Sequence, residues 1–321
     1  MKIIAFIFLI NLCFFAKAQY PPAAGQAGST AVPHDSACFI DWAGSCSIVR
    51  GFVNISDTTV VAGSSNYASY GAESNVAGIA DNVVVSLGDG GVADIFFNVP
   101  LADGSGFDFA VFENALTDLF LELAFVEVSS DGIHFFRIPS YSLTDTIVQT
   151  GGFGNTDPTK IHNLAGKYRA LFGTPFDISE APDTGLLRKD SITVVRLIDV
   201  VGSIDPTHAS RDCEGRIVND PFPTPFESSG FDLDAVGVIN NRSNTGFDEY
   251  QKIVHVYPDP ASDVIYFNSS ETERVFIYSC SGHLMREYSD SEKSADVSGL
   301  DNGIYFLRTS EGKSSKFIVF H

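Results

Sequence analysis

Apolar residues along the chain come in short bursts separated by turn formers, and the bursts are too brief and too regular for helices. NVVVSLG (82–88), VADIFFNV (92–99), FDFAVFEN (107–114), LELAFVEVSS (121–130), ITVVRLIDVVG (192–202) and FDLDAVGVI (231–239) are rich in Val, Ile and Phe. Gly88-Asp89-Gly90-Gly91, Ala102-Asp103-Gly104 and Asp131-Gly132 punctuate them, the pattern of an all-β sandwich. The 27 Phe against 2 Met agree with this, because aromatic and β-branched side chains suit a pleated, half-buried surface. Residues 160–172 alone mix in helical character, which predicts a short piece at a sandwich edge.

The segment SGFDLDAVGVIN (229–240) poses a chemical problem. Strict alternation sends Phe231, Leu233 and Ala235 to one face, and Asp232, Asp234, Val236 and Val238 to the other. Two carboxylates roughly 7 Å apart then share a face of a core-like strand. An unpaired charge there is costly to bury, so a cation, a basic partner, backbone N–H donors or rim water must compensate it.

Residues 1–18, MKIIAFIFLINLCFFAKA, have a basic start, an apolar run and an Ala16-Lys17-Ala18 ending. That is a secretory signal peptide, and the mature chain is expected to begin at Gln19. The run is shorter than the about 20 apolar residues a membrane span needs. Cys13 follows Ile10, Asn11 and Leu12 rather than small residues, which argues against a lipid anchor. No later stretch reaches membrane length, so the product is expected to carry no membrane span after cleavage. Residues 19–240 form the main domain, the polar stretch 241–253 reads as a linker, and strand-like runs resume over 254–321.

Asp and Glu number 40 against 20 Lys and Arg, a formal charge of −20, and losing Lys2 and Lys17 with the signal makes it two units more negative. Such a chain offers no footprint for nucleic acid or an anionic membrane; cations and neutral ligands are its natural partners. Cleavage leaves Cys38, Cys46, Cys213 and Cys280. Disulfides are permitted in an exported protein, and Cys38 with Cys46 in CFIDWAGSC is the expected pair. For Cys213 and Cys280 the pairing stays open.

The tail carries Tyr257-Pro258-x-Pro260-Ala261-Ser262, a strand and turn over 275–282, DVSGLDNGIYFLR, and a Lys316-Phe317-Ile318 close. It resembles the type A C-terminal sorting domain of the type IX secretion system, with Asp259 where that family usually has Asn. The resemblance implies export through the outer membrane, the secretion machinery as partner, and a product secreted or held at the surface, usually after tail removal. Across residues 20–240, SLGDGGVADIFF, DGSGFDFAVFEN, LELAFVEVSSDG, NLAGKY, GTPFD, IDVVGSID, NDPFPTPF and GFDLDAVGVI resemble a group of bacterial secreted and cell-surface proteins with jelly-roll, carbohydrate-binding-like folds. That likeness implies fold and location and carries no catalytic residues.

Acids recur within the apolar strands: Asp108, Glu113, Glu122, Glu127, Asp199, Asp232 and Asp234. Calcium takes several carboxylate and carbonyl oxygens, and Asp103, Asp108, Asp232 and Asp234 are its candidate ligands, set against carboxylates that merely cap turns and strand ends. Paired acids also serve glycosidases, yet acids this frequent pair by chance. The seven His show no HExxH, and no Ser lies in a GxSxG elbow. For binding, Trp42 in the Cys38–Cys46 loop and Tyr67 and Tyr70 in SSNYASYGAES are candidate aromatic platforms for a glycan, with a core role as the bland alternative for Trp42. The expectation is an all-β chain, a jelly-roll-like β-sandwich followed by a small Ig-like β-sandwich, acting as an exported non-enzymatic binding protein for a glycan-like ligand. The alternatives are a secreted hydrolase of polysaccharide or peptide and a structural or adhesion component.

Overall fold

The computed structural model describes residues 20–243, 254, 256–267, 274–280, 282–289, 292–310 and 314–321. The signal segment and residues 244–253 of the linker lie outside the described residues. The chain divides into two compact units, Met1–Thr245 and Gly246–His321.

The first unit is a sandwich of two antiparallel sheets, its strands labelled in chain order. One sheet runs β1 (Val32–Pro33), β11 (Phe172–Phe176), β6 (Phe109–Glu113), β13 (Asp232–Val238) and β2 (Asp41–Trp42), and β4 (Val85–Ser86) also pairs with β13. The other runs β3 (Ser45–Val49), β5 (Val92–Leu101), β12 (Ile192–Asp199), β7 (Ala124–Ser129) and β8 (Phe136–Arg137). A short ribbon pairs β9 (Tyr141–Ser142) with β10 (Ile161–His162). Phe109, Val111, Phe176, Leu233, Val236 and Val238 of the first sheet meet Ile95, Val126, Val128, Val195 and Leu197 of the second in one buried cluster. The strand order supports a sandwich and goes no further towards a jelly roll.

Outward positions explain part of the acid content. Arg196 on β12 stands opposite Asp94 on β5 and Glu127 on β7. Its guanidinium donates to both Asp94 oxygens at 2.6 and 2.8 Å, and Arg137 on β8 donates to Glu127. Opposite charges therefore alternate across four neighbouring strands, a favourable cross-strand arrangement.

Two expectations are corrected here. Residues 160–172 form no helix: the 3₁₀ turn Pro158–Lys160 leads directly into β10, and Asn163, Gly166 and Leu171 take left-handed φ of 50°, 80° and 65°. A Cβ at Gly166 would lie 1.9 Å from the Glu122 carbonyl oxygen, so only glycine fits there. The Cys38–Cys46 bridge is also absent, and all of the described cysteines are free. Ala43 N–H donates to Val236 O in one sheet, and Gly44 N–H to Phe96 O in the other. The chain thus crosses between sheets between the two cysteines, leaving Cys38 exposed and Cys46 packed against the core.

In the second unit, β14 (Val256–Tyr257), β15 (Val264–Phe267) and β18 (Ser294–Asp296) face a sheet ordered β17 (Leu284–Tyr288), β16 (Val275–Ser279), β19 (Gly303–Thr309), β20 (Ser314–Val319). Ile265, Phe267, Val275, Ile277, Leu307, Phe317 and Val319 fill its core. Alternation on β19 is strict: Tyr305, Leu307 and Thr309 point in, while Ile304, Phe306 and Arg308 point out. Ile304 pairs with Ile318, itself partly exposed, and Phe320 beyond the edge strand β20 is 67% exposed. Asp259 Oδ1 accepts the Ile318 N–H at 2.8 Å. An Asn carries the same acceptor oxygen, which explains why Asp is tolerated there.

Candidate ligand-binding site

Strand directions gather most of the buried acids at one end of the first sandwich. β13 begins with Asp232 opposite Ser86, and Leu233 stands opposite Glu113, the last residue of β6. In the facing sheet Asp199 closes β12 opposite Ala124, two residues after Glu122. Asp89 and Asp220 enter from loops. Each of these carboxylates is at most 7% exposed.

Backbone donors hold most of them. Asp199 accepts from Phe231 N–H at 2.7 Å and Gly90 N–H at 2.9 Å. Glu113 accepts from Ala115 N–H, Asp220 from Leu123 N–H and Asp89 from Ile55 N–H. Asp232 takes a short hydrogen bond from the Ser86 hydroxyl. Arg50 is the cation near it, but that guanidinium donates to the carbonyls of Tyr70, Ser86 and Gly71. Glu113 Oε1 and Asp220 Oδ1 are buried without a partner.

This environment favours the neutral acids. Burial pushes Asp232 up to about 7, against the opposing pull of Ser86 and Arg50. Burial likewise raises Asp89 to about 6. Glu113, Glu122, Asp199 and Asp220 sit well above the carboxylate range, from burial first and then from a neighbouring acid, Asp232 for Glu113 and Glu122, Asp89 for Asp199 and Asp199 for Asp220.

Above Asp232 a cavity of about 630 Å³ opens, lined by Tyr70, Asn114, Phe153, Phe226 and Glu227 among others. Phe153 is 78% exposed, Tyr70 54% and Phe226 43%. The Phe153 and Phe226 rings lie 5.5 Å apart, and Phe120 is 6.3 Å from Phe153. Apolar ring faces held in water beside carboxylate and amide groups can stack on an apolar ring face and hydrogen-bond its substituents at once.

The structure places the sequence candidates in different locations. Tyr70 lines this groove. Tyr67 instead stacks on Phe52 at 4.6 Å, and Trp42 packs between Phe39 and Phe112 over Ala235. The four candidate calcium ligands separate into two groups. Asp108 precedes β6 and its carbonyl accepts from Ile239 and Asn240 N–H, past the far end of β13 from Asp232, roughly 20 Å along the strand. Asp103 and Asp108 are joined by Asp177, with one ligand atom from each within 4.8 Å of the others. Asp108 is already held by the N–H groups of Gly104 and Ile178 and by Asn240 Nδ2, and Asp234 by those of Asp81 and Asn82.

Phe153 and Phe226 are not among the candidates that sequence patterns single out, although GGFGN and PFPTPFESSG carry a signal. The signal is partial: Phe153 and Phe226 are exposed, while Phe222 between Pro221 and Pro223 is buried.

No curated protein and no solved structure matches the chain. Residues 255–320 match the family model described as the secretion system C-terminal sorting domain. The chain therefore ends in a type IX secretion sorting domain and is a protein exported to the cell surface or beyond.

Proposed function

We propose that the exported chain is a non-enzymatic binding protein whose first unit takes a glycan in the groove of Tyr70, Phe153 and Phe226. The observation that carries this reading is the set of exposed rings around Asp232, Asn114 and Glu227. Rings left in water cost free energy unless a ligand covers them. A sugar offers one apolar face for the rings and a rim of hydroxyls for the polar groups.

A glycan array with the purified mature chain tests the proposal. Phe153→Ala and Phe226→Ala are each expected to weaken the strongest hit about tenfold, or about 1.4 kcal/mol, without lowering the melting temperature. Undiminished binding in the double variant would remove the groove from the reading. Release of reducing ends from a bound polysaccharide would make the protein a hydrolase instead.

The same reading includes a structural calcium ion, confined to Asp103, Asp108 and Asp177. Their close approach favours it: burial first, then neighbouring Asp177, raises the Asp103 carboxyl. An ion that binds only the folded state stabilises it by about 2.7 kcal/mol at a hundredfold excess over its Kd. Calcium is expected to raise the melting temperature and chelator to lower it, with Asp103→Asn plus Asp177→Asn abolishing both responses. A melt indifferent to chelator would leave the three acids to their hydrogen bonds.

A further inference from the structure

The first unit holds a second and larger cavity, about 870 Å³, which shares no lining residue with the aromatic groove. The β9–β10 ribbon and the loop through Arg211 and Arg216 build its walls. Tyr20 closes one side: its N–H donates to Thr159 O at 3.0 Å, and its ring stacks on His162 at 5.0 Å and 8°. Tyr141 stacks on His162 in turn, so the Tyr20 wall is braced from behind.

The charge of this lining is opposite to that of the chain. Acids outnumber bases 40 to 20 overall, yet Lys160, Arg211 and Arg216 line the cavity against Asp157 alone. Arg216 is neutralised by Asp212 and Glu214. Asp157 is engaged by the Thr159 N–H and hydroxyl. Lys160 and Arg211 form no ion pair among the described residues, and the one side-chain bond of Arg211 goes to the Gly215 carbonyl. Asp157, Asp212 and Glu214 balance the three bases in formal charge, but Lys160 and Arg211 have no ion-pair partner among the described residues and so remain free to make charge-assisted hydrogen bonds to an anion in the cavity. Ser142, Thr144 and Thr146 add hydroxyls to the same lining.

We infer that this cavity binds an acidic saccharide, a polyhydroxylated ring bearing one carboxylate or sulfate, with the anion between Lys160 and Arg211. The hydroxyls meet the threonine and serine side chains and a sugar face rests on Tyr20. The cavity has room for more than one sugar unit. This inference is independent of the aromatic groove, since neither cation lies there.

Isothermal titration of the mature chain at low salt, with glucuronate, glucose 6-sulfate, glucose and inorganic sulfate as probes, tests it. At least one acidic sugar is expected to bind, about tenfold or more tighter than glucose, and to weaken as salt screens the pair of cations. The stronger of the two acidic probes identifies the anion. Lys160→Gln and Arg211→Gln are each expected to lower that affinity about tenfold at an unchanged melting temperature. Glucose binding as well as the acids would overturn the inference, as would undiminished affinity in the double variant or no heat from either acid. Inorganic sulfate matching glucose 6-sulfate would show a bare anion site and overturn the saccharide assignment.

Discussion

Chains lacking residues 254–321 are expected to accumulate in the periplasm of their native host, with surface display falling to background. The tail matches the sorting family over nearly that whole stretch, and the two units carry separate buried clusters. β13 is the last strand of the first unit, and Arg242 N–H still donates to Pro100 O, so the first core is complete before the cut. The truncated chain should therefore keep the melting temperature of the first unit while losing its route outward. Fractionation with surface proteolysis measures the one and a thermal melt the other. Undiminished display would remove the tail from the export pathway, and a collapsed melt would show that the first unit leans on it.

Raising the pH from about 4 to about 8 in chelator is expected to destabilise the first unit, the reverse of ordinary acid denaturation. A carboxyl whose pKa is higher in the folded than in the unfolded chain binds its proton more tightly when folded. Its contribution is complete below the unfolded value near about 4 and is lost as pH climbs through the folded one. For Asp232 that window runs from about 4 to about 7, and for Asp89 from about 4 to about 6. Every tenfold gain in proton affinity on folding is worth about 1.4 kcal/mol, so Asp232 alone accounts for a change on the order of 4 kcal/mol. Arg50 and Ser86 oppose that gain, while Glu113, Glu122 and Asp199 lie close enough for the Asp232 charge to raise their own values. Asp232→Asn stays neutral throughout. It should raise the melting temperature at pH about 8, leave it nearly unchanged at about 4, and flatten the profile between. A wild-type melt that is level across this range would mean that the acids are compensated by something other than protons.

How far the fold can be read from sequence is clearest on β13. The run FDLDAVGVI predicts a buried strand, and all seven residues of Asp232–Val238 are buried. Strict alternation fails inside it, because the register against β6 shifts between Leu233 and Ala235. The extra residue turns Val236 and Val238 to the core beside Leu233 and sends Ala235 to the outer cluster. A bulge resets a period-2 pattern without any signal in composition. The need for compensation at Asp232 and Asp234 is legible in the segment itself, and backbone N–H and hydroxyl donors supply it. Which loops bring those donors depends on contacts up to 153 residues apart in the chain, which no local pattern encodes. The same limit applies to Cys38 and Cys46. Their spacing suggests a loop, while the crossing at Ala43 and Gly44 is set by distant partners on β13 and β5.

The outward row of Ile304, Phe306, Ile318 and Phe320 on β19 and β20 has a consequence for the chain in transit. Asp259 and Ala261 already take the backbone groups of Ile318 and the N–H of Phe320, so the exposed apolar face itself is what favours contact with another copy. The tail that addresses the protein outward thus also offers an apolar face through which chains held back in the periplasm can meet. Mutual repulsion between mature molecules, two units more negative than the −20 of the full sequence, opposes that association.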